Sequence, residues 1–107
     1  MSKPHKLPIN KITVLGIEYS IVLKEKVYND DGERCWGTVD LNKFVISLQD
    51  APMPKVVKTL CHEIVHIWQD AMSMPVDEDV ASKIEVVMAD LFYNQPEVVK
   101  FLQRKAW

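Results

Sequence analysis

Cations are too few and too scattered in this chain to build a nucleic-acid surface. Thirteen Lys and Arg stand against fifteen Asp and Glu, for a formal charge of −2 and a pI near 5.9, whereas phosphate neutralisation needs a basic patch. No apolar run approaches the roughly 18 residues of a membrane helix, and the first ten residues, with Lys3, Pro4, Lys6 and Pro8, lack the apolar segment of a secretory signal. Nucleic acid and membrane are therefore not expected partners. Cysteine is scarce: Cys35 and Cys61, without a secretory signal, are expected as reduced thiols in a cytoplasmic protein. There is no internal repeat or low-complexity tract. At 107 residues no second domain fits. The expectation is one domain over 1–107, with residues 1–8 as a loose, proline-broken arm.

What is present is 48% hydrophobic residues, enough for a small core. Ile9 to Val14 and Ile17 to Leu23 are β-branched runs flanking Leu15-Gly16 and read as a hairpin. Asn29-Asp30-Asp31-Gly32 is the clearest turn. Arg34 to Leu41 and Phe44 to Leu48 read as a second hairpin turning at Asn42-Lys43, with Val39, Leu41, Phe44, Ile46 and Leu48 on one buried face. The second half is helical. Val57, Leu60, Ile64, Ile67, Trp68 and Ala71 recur at three- and four-residue spacing, with Asp50 or Ser47 as capping candidates and Pro52 and Pro54 in a tolerant first turn. A second helix starts at Asp77 with an acidic first turn and a stripe of Val80, Ile84, Val87, Met88 and Leu91. Asn94-Gln95-Pro96 ends it. Glu97 to Lys105 closes the chain with Val98, Phe101 and Leu102 inward. The fold class is α+β: a small antiparallel or mixed sheet, then helices.

The first helix carries the chemistry. His62-Glu63-Ile64-Val65-His66 sets two imidazoles at i and i+4, on one face and off the apolar stripe. Two imidazoles so placed can bind one Zn²⁺, and Glu63, about 100° round the helix from His62, is near enough to take a proton from a metal-bound water. This is the H-E-x-x-H pattern of a zinc metallopeptidase. Cys61, one residue before His62, points elsewhere and reads as a core thiol. A catalytic zinc normally has three protein ligands. His5, in the loose arm, is a poor third. Glu78, Asp79 and Glu85 on the second helix, which runs back past the histidines, remain open. Asp70, one turn beyond His66, is either an exposed carboxylate or an outer-sphere partner.

His62-Glu63-Ile64-Val65-His66 followed by Glu78-Asp79-Val80-Ala81-Ser82 resembles the gluzincin clan of metallopeptidases. The likeness covers about residues 37 to 96, and the layout is similar to minimal gluzincins and to small zincin-like proteins of phages and mobile elements. The resemblance implies Glu78 as the third ligand, with Glu85 two turns along the same face as its rival. Ser82 stands where members of the clan often have Asp or Asn. His66-Ile67-Trp68-Gln69 is also similar to SprT-type zincins, which take a third histidine downstream; this chain has none after His66. The family implies a peptide or protein substrate paired with the strand before the motif helix, here Phe44 to Leu48, and an oxyanion-steadying side chain for which Tyr19, Tyr28 and Tyr93 are available. Retention of Glu63 favours an enzyme, since a structural site does not need that carboxylate. The alternatives are a zincin-fold binding or regulatory module and a zinc-free α+β adaptor. Trp68 is expected in the core and Trp36 at an edge or rim. Trp107 is expected on the last helix or on a neighbouring subunit, so a homo-oligomer stays open.

Overall fold

The computed structural model describes residues 7–104. His5, Trp107 and most of the expected N-terminal arm lie outside that range. Leu7, expected in the arm, instead packs against the core.

The architecture is α+β, a mixed four-stranded sheet followed by helices. β1 (Lys11–Val14) and β2 (Ile17–Lys24) form the expected antiparallel hairpin. Leu15 and Gly16 turn it at φ 49° and 85°, the positive values that match the twist of the flanking strands. β3 (Val27–Tyr28) and β4 (Arg34–Cys35) pair in a short separate ladder. Its turn is held by Asn29 Oδ1, which accepts from the N–H of Asp31 at 3.0 Å and of Glu33 at 2.9 Å.

The expected strand Arg34 to Leu41 is broken at Trp36, so that β5 (Gly37–Asp40) belongs to the main sheet. β6 (Val45–Gln49) follows a four-residue turn and not the expected two-residue one. Asp40 Oδ1 accepts from the N–H of both Asn42 and Lys43 at 2.9 Å. Phe44 then takes φ 58° and leaves the strand alternation. It is 42% exposed, not inward, with its ring edge-on to Tyr19 at 5.6 Å. The strand order is β1-β2-β6-β5, parallel only between β2 and β6. β6 is thus central, with Ile46, Ser47 and Leu48 all buried.

α1 (Met53–Ala71) packs on β5 and β6, with α2 (Glu78–Ala89) against it. Pro52 caps α1 without a side-chain bond, while Ser47 sits in β6 and Asp50 gives its N–H to Lys24 O, so neither expected cap is used. Of the expected stripe only Ile67 is fully buried; Leu60, Ile64 and Trp68 pack on the core half-buried, and Ala71 is exposed. The buried positions are Val56, Thr59, Cys61, Glu63, Val65, His66, Ile67 and Gln69. A helix clasped between a sheet and a second helix is covered most of the way round, which a single-stripe pattern does not anticipate.

α2 begins as expected, with Asp77 accepting from the N–H of Val80 at 3.1 Å. Its buried residues are Ala81 and Ala89, while Val80 and Val87, expected inward, are exposed. Small residues let the two helices approach closely, and that rotation turns Glu78 and Glu85 towards α1. A π-helical turn, Asp90–Asn94, leads to α3 (Pro96–Leu102). Val98, Phe101 and Leu102 are about half exposed and not inward, because α3 packs chiefly against the π turn and not against the core. Among the described residues no helix is long and apolar enough to cross a membrane.

Candidate metal centre

One helical turn separates His62 from His66, and their rings stand 4.7 Å apart at 83°. Their Nε2 atoms are 3.1 Å from each other. Glu78, from the first turn of α2, reaches both: Oε2 lies 2.9 Å from His62 Nε2 and Oε1 lies 2.9 Å from His66 Nε2. The three side chains bring their ligand atoms within 4.8 Å of one another and so are close enough to hold a metal ion.

The other side of each ring strengthens that conclusion. His66 Nδ1 meets Gln69 Oε1 at 2.9 Å, and His62 Nδ1 meets Glu85 Oε1 at 3.1 Å. Each ring is thus held on its Nδ1 side by a side chain of the protein, and both Nε2 atoms face Glu78. Two imidazoles and a carboxylate are a donor set that a divalent metal could use, and Glu85 and Gln69 bond the far side of each ring.

Glu85 is therefore not beside Glu78 on the ligand side but behind His62. Asp79 points away and pairs with Lys83 at 3.0 Å. Asp70 is exposed, and the side chain that meets His66 Nδ1 is Gln69. Gln69 also bonds the backbone N–H and C=O of Asp77, each at 3.4 Å, tying the end of α1 to the cap of α2. A signal for Gln69 existed in the sequence: an amide three residues after His66 lies on the same helix face.

No family model matches the chain, and no curated protein or solved structure matches it. Geometry alone must carry the functional argument.

Glu63 is buried, at 6% exposure. Burial pushes its pKa up, the two imidazoles pull it down, and the charges of Glu78 and Glu85 push it up further. It lines an open cleft of about 760 Å³ together with His62, His66, Glu78, Glu85 and Ser82. The opposite wall is β5, with Gly37, Thr38 and Val39, and the rim carries Asp30 and Trp36. A second hollow, about 400 Å³ between Leu7–Asn10 and Ile21 and Leu23, carries no titratable side chain. None of the tyrosines considered for the oxyanion lines the cleft: Tyr19 is in the core, and Tyr28 and Tyr93 are exposed.

The strand expected to receive substrate also changes. β6, which contains most of Phe44 to Leu48, is paired on both sides, so it has no edge to offer. β5 is the edge strand beside the site. Trp36 directs its carbonyl to Gln49 of β6, so the alternation of an antiparallel ladder turns the N–H and C=O of Gly37 and Val39 outwards, where the Gly37 carbonyl accepts from Cys35 Sγ at 3.4 Å. A Cβ at Gly37 would stand 2.5 Å from Thr59 Cγ2 and 3.2 Å from Ser47 O. Glycine is needed there so that β5 can lie close over α1.

Proposed function

We propose that the protein is a zinc-dependent peptidase of the gluzincin type, with His62, His66 and Glu78 holding the metal and Glu63 as general base. Zn²⁺ suits two imidazoles and one carboxylate, and supplies Lewis acidity that acidifies water and polarises a carbonyl oxygen. The open edge of β5 takes an extended peptide by strand addition, with Gly37 and Val39 as its hydrogen-bonding partners. Glu63 accepts a proton from the attacking water as that water's oxygen bonds to the peptide carbonyl carbon. The C–N bond then breaks, and Glu63 returns the proton to the leaving nitrogen, giving one carboxylic acid and one amine. Glu85 and Gln69 hold the imidazoles still throughout.

The observation that carries this reading over a purely structural metal site is Glu63 itself. Burial pushes its pKa up while it lines the cleft beside both imidazoles, and a structural site has no use for a carboxylate so placed. The test is cleavage of a mixed peptide library by the zinc-loaded protein. The expected result is cleavage that falls by about 10²- to 10⁴-fold in Glu63→Gln while its zinc content is unchanged. Equal cleavage by Glu63→Gln, or none by the wild type, would refute the peptidase and leave a metal-holding binding module.

A further inference from the structure

The cleft is acidic around its histidines, and among the described residues that line it there is one Lys or Arg, Lys55. Lys55 lies in the first turn of α1, seven residues before His62, which is about 10 Å along the helix. Its Nζ sits 4.7 Å from the centroid of the Trp36 ring. No carboxylate of the described residues pairs with it. Trp36 is 49% exposed at the rim. An ammonium held on an indole face has given up part of its rotamer freedom while keeping its charge for a ligand.

The strand geometry adds a direction. β5 runs beside α1 in the same sense, since Trp36 meets Lys55 and Gly37 meets Thr59 one turn later. A peptide paired antiparallel to β5 therefore carries its C-terminal part towards Trp36 and Lys55. At about 3.4 Å per residue, the distance from the histidines to Lys55 spans about three residues.

We infer that Lys55, steadied by Trp36, selects substrates that carry a carboxylate about three residues to the C-terminal side of the bond that is cut. This inference rests on the peptidase reading of the metal site. The carboxylate comes from an Asp or Glu side chain or from the end of the peptide chain, and the experiment distinguishes them.

The test is a titration of zinc-loaded Glu63→Gln protein, which does not consume its ligand, with short peptides in which a single Asp is walked along the sequence. Each is compared with its Asn counterpart, and each is made with a free and an amidated C-terminus. The expected result is binding about five- to tenfold tighter for the carboxylate at one position of the walk or at the chain end. Lys55→Met, which keeps an unbranched apolar chain on Trp36, removes that difference, and Lys55→Arg keeps it. Equal binding of acid and amide peptides, a preference that survives Lys55→Met, or no peptide binding at all would overturn the inference. Cleavage of the same peptides by the zinc-loaded wild type separates the two claims. A Lys55-dependent carboxylate preference without cleavage supports the selecting role and refutes the peptidase, whereas cleavage without the preference refutes the selecting role alone.

Discussion

The two halves of the candidate metal centre are built on unequal ground. α1, which carries His62, Glu63 and His66, has eight buried residues and lies on a sheet whose Ile46 and Leu48 are fully inaccessible. α2, which carries Glu78 and Glu85, has two, Ala81 and Ala89, and exposes Val80, Val86 and Val87. His62, Glu63 and His66 therefore stand on the best-packed element, and Glu78 stands on one with little apolar burial to hold it. Segments of that kind open at lower free energy than the core. Glu78 between the two imidazoles, and Gln69 on the cap of α2, are the polar ties across the gap. A metal held by His62, His66 and Glu78 would make the same tie, which would couple its binding to the docking of α2.

The largest expected effect measures the contrast itself. Ile46→Ala removes a fully buried side chain and should destabilise by about 3 kcal/mol in urea unfolding, whereas Val87→Lys on exposed α2 should stay within about 0.5 kcal/mol. Comparable losses at the two sites would mean that α2 is as firmly anchored as the sheet.

Zinc comes next. At a free concentration one hundred times its dissociation constant it should stabilise the protein by about 2.7 kcal/mol, seen as a rise in Tm and as slower amide exchange across α2. Glu78→Gln should lose most of both. Protection gained only in α1 would show that the metal does not join the halves.

Gln69→Ala leaves every ligand in place but frees the His66 ring and cuts the tie to Asp77, so metal affinity should fall about tenfold or more. An unchanged affinity in a competition titration would remove Gln69 from the centre.

The smallest effect lies far from α2, at the β5–β6 turn, and depends on pH. The N–H groups of Lys43 and Asn42 hold the Asp40 carboxyl below its ordinary pKa of 3.8. A carboxylate depressed in the folded state stabilises above its unfolded pKa, and that stability is lost as pH falls through the folded value. Wild type should therefore exceed Asp40→Asn slightly in Tm at pH 5 to 7, and the gap should close as the pH drops below about 4.

The sequence told most where the deciding physics is local. Leu15-Gly16 and Asn29 to Gly32 are turns set by φ preference and a side-chain acceptor, and both form as expected. The spacing of His62, Glu63 and His66 fixes their relative directions once the helix exists. It told least where a partner element decides. Glu78 and Glu85 lie on one face of α2, and only the rotation of that helix against α1 puts one on the Nε2 side and the other behind His62. Val98, Phe101 and Leu102 have helical spacing, but spacing marks a face without supplying something to cover it. Phe44 failed for a local reason that was overlooked: Asp40 caps a four-residue turn, which shifts the alternation by the time the chain re-enters β6. Val57 looked like part of the core stripe because a pattern search assumes one covered side, and α1 is covered on several, whereas Leu60 does pack on the core.

The measurement that reaches the central claim most directly is metal content by elemental analysis of protein purified without a histidine tag, for wild type, His66→Ala, Glu78→Gln and Glu85→Gln. The geometry predicts about one zinc per chain in the wild type and, under saturating zinc, in Glu85→Gln, with loss in His66→Ala and Glu78→Gln. Zinc kept in Glu78→Gln and lost in Glu85→Gln, or no zinc in the wild type even after incubation with the metal, would contradict it.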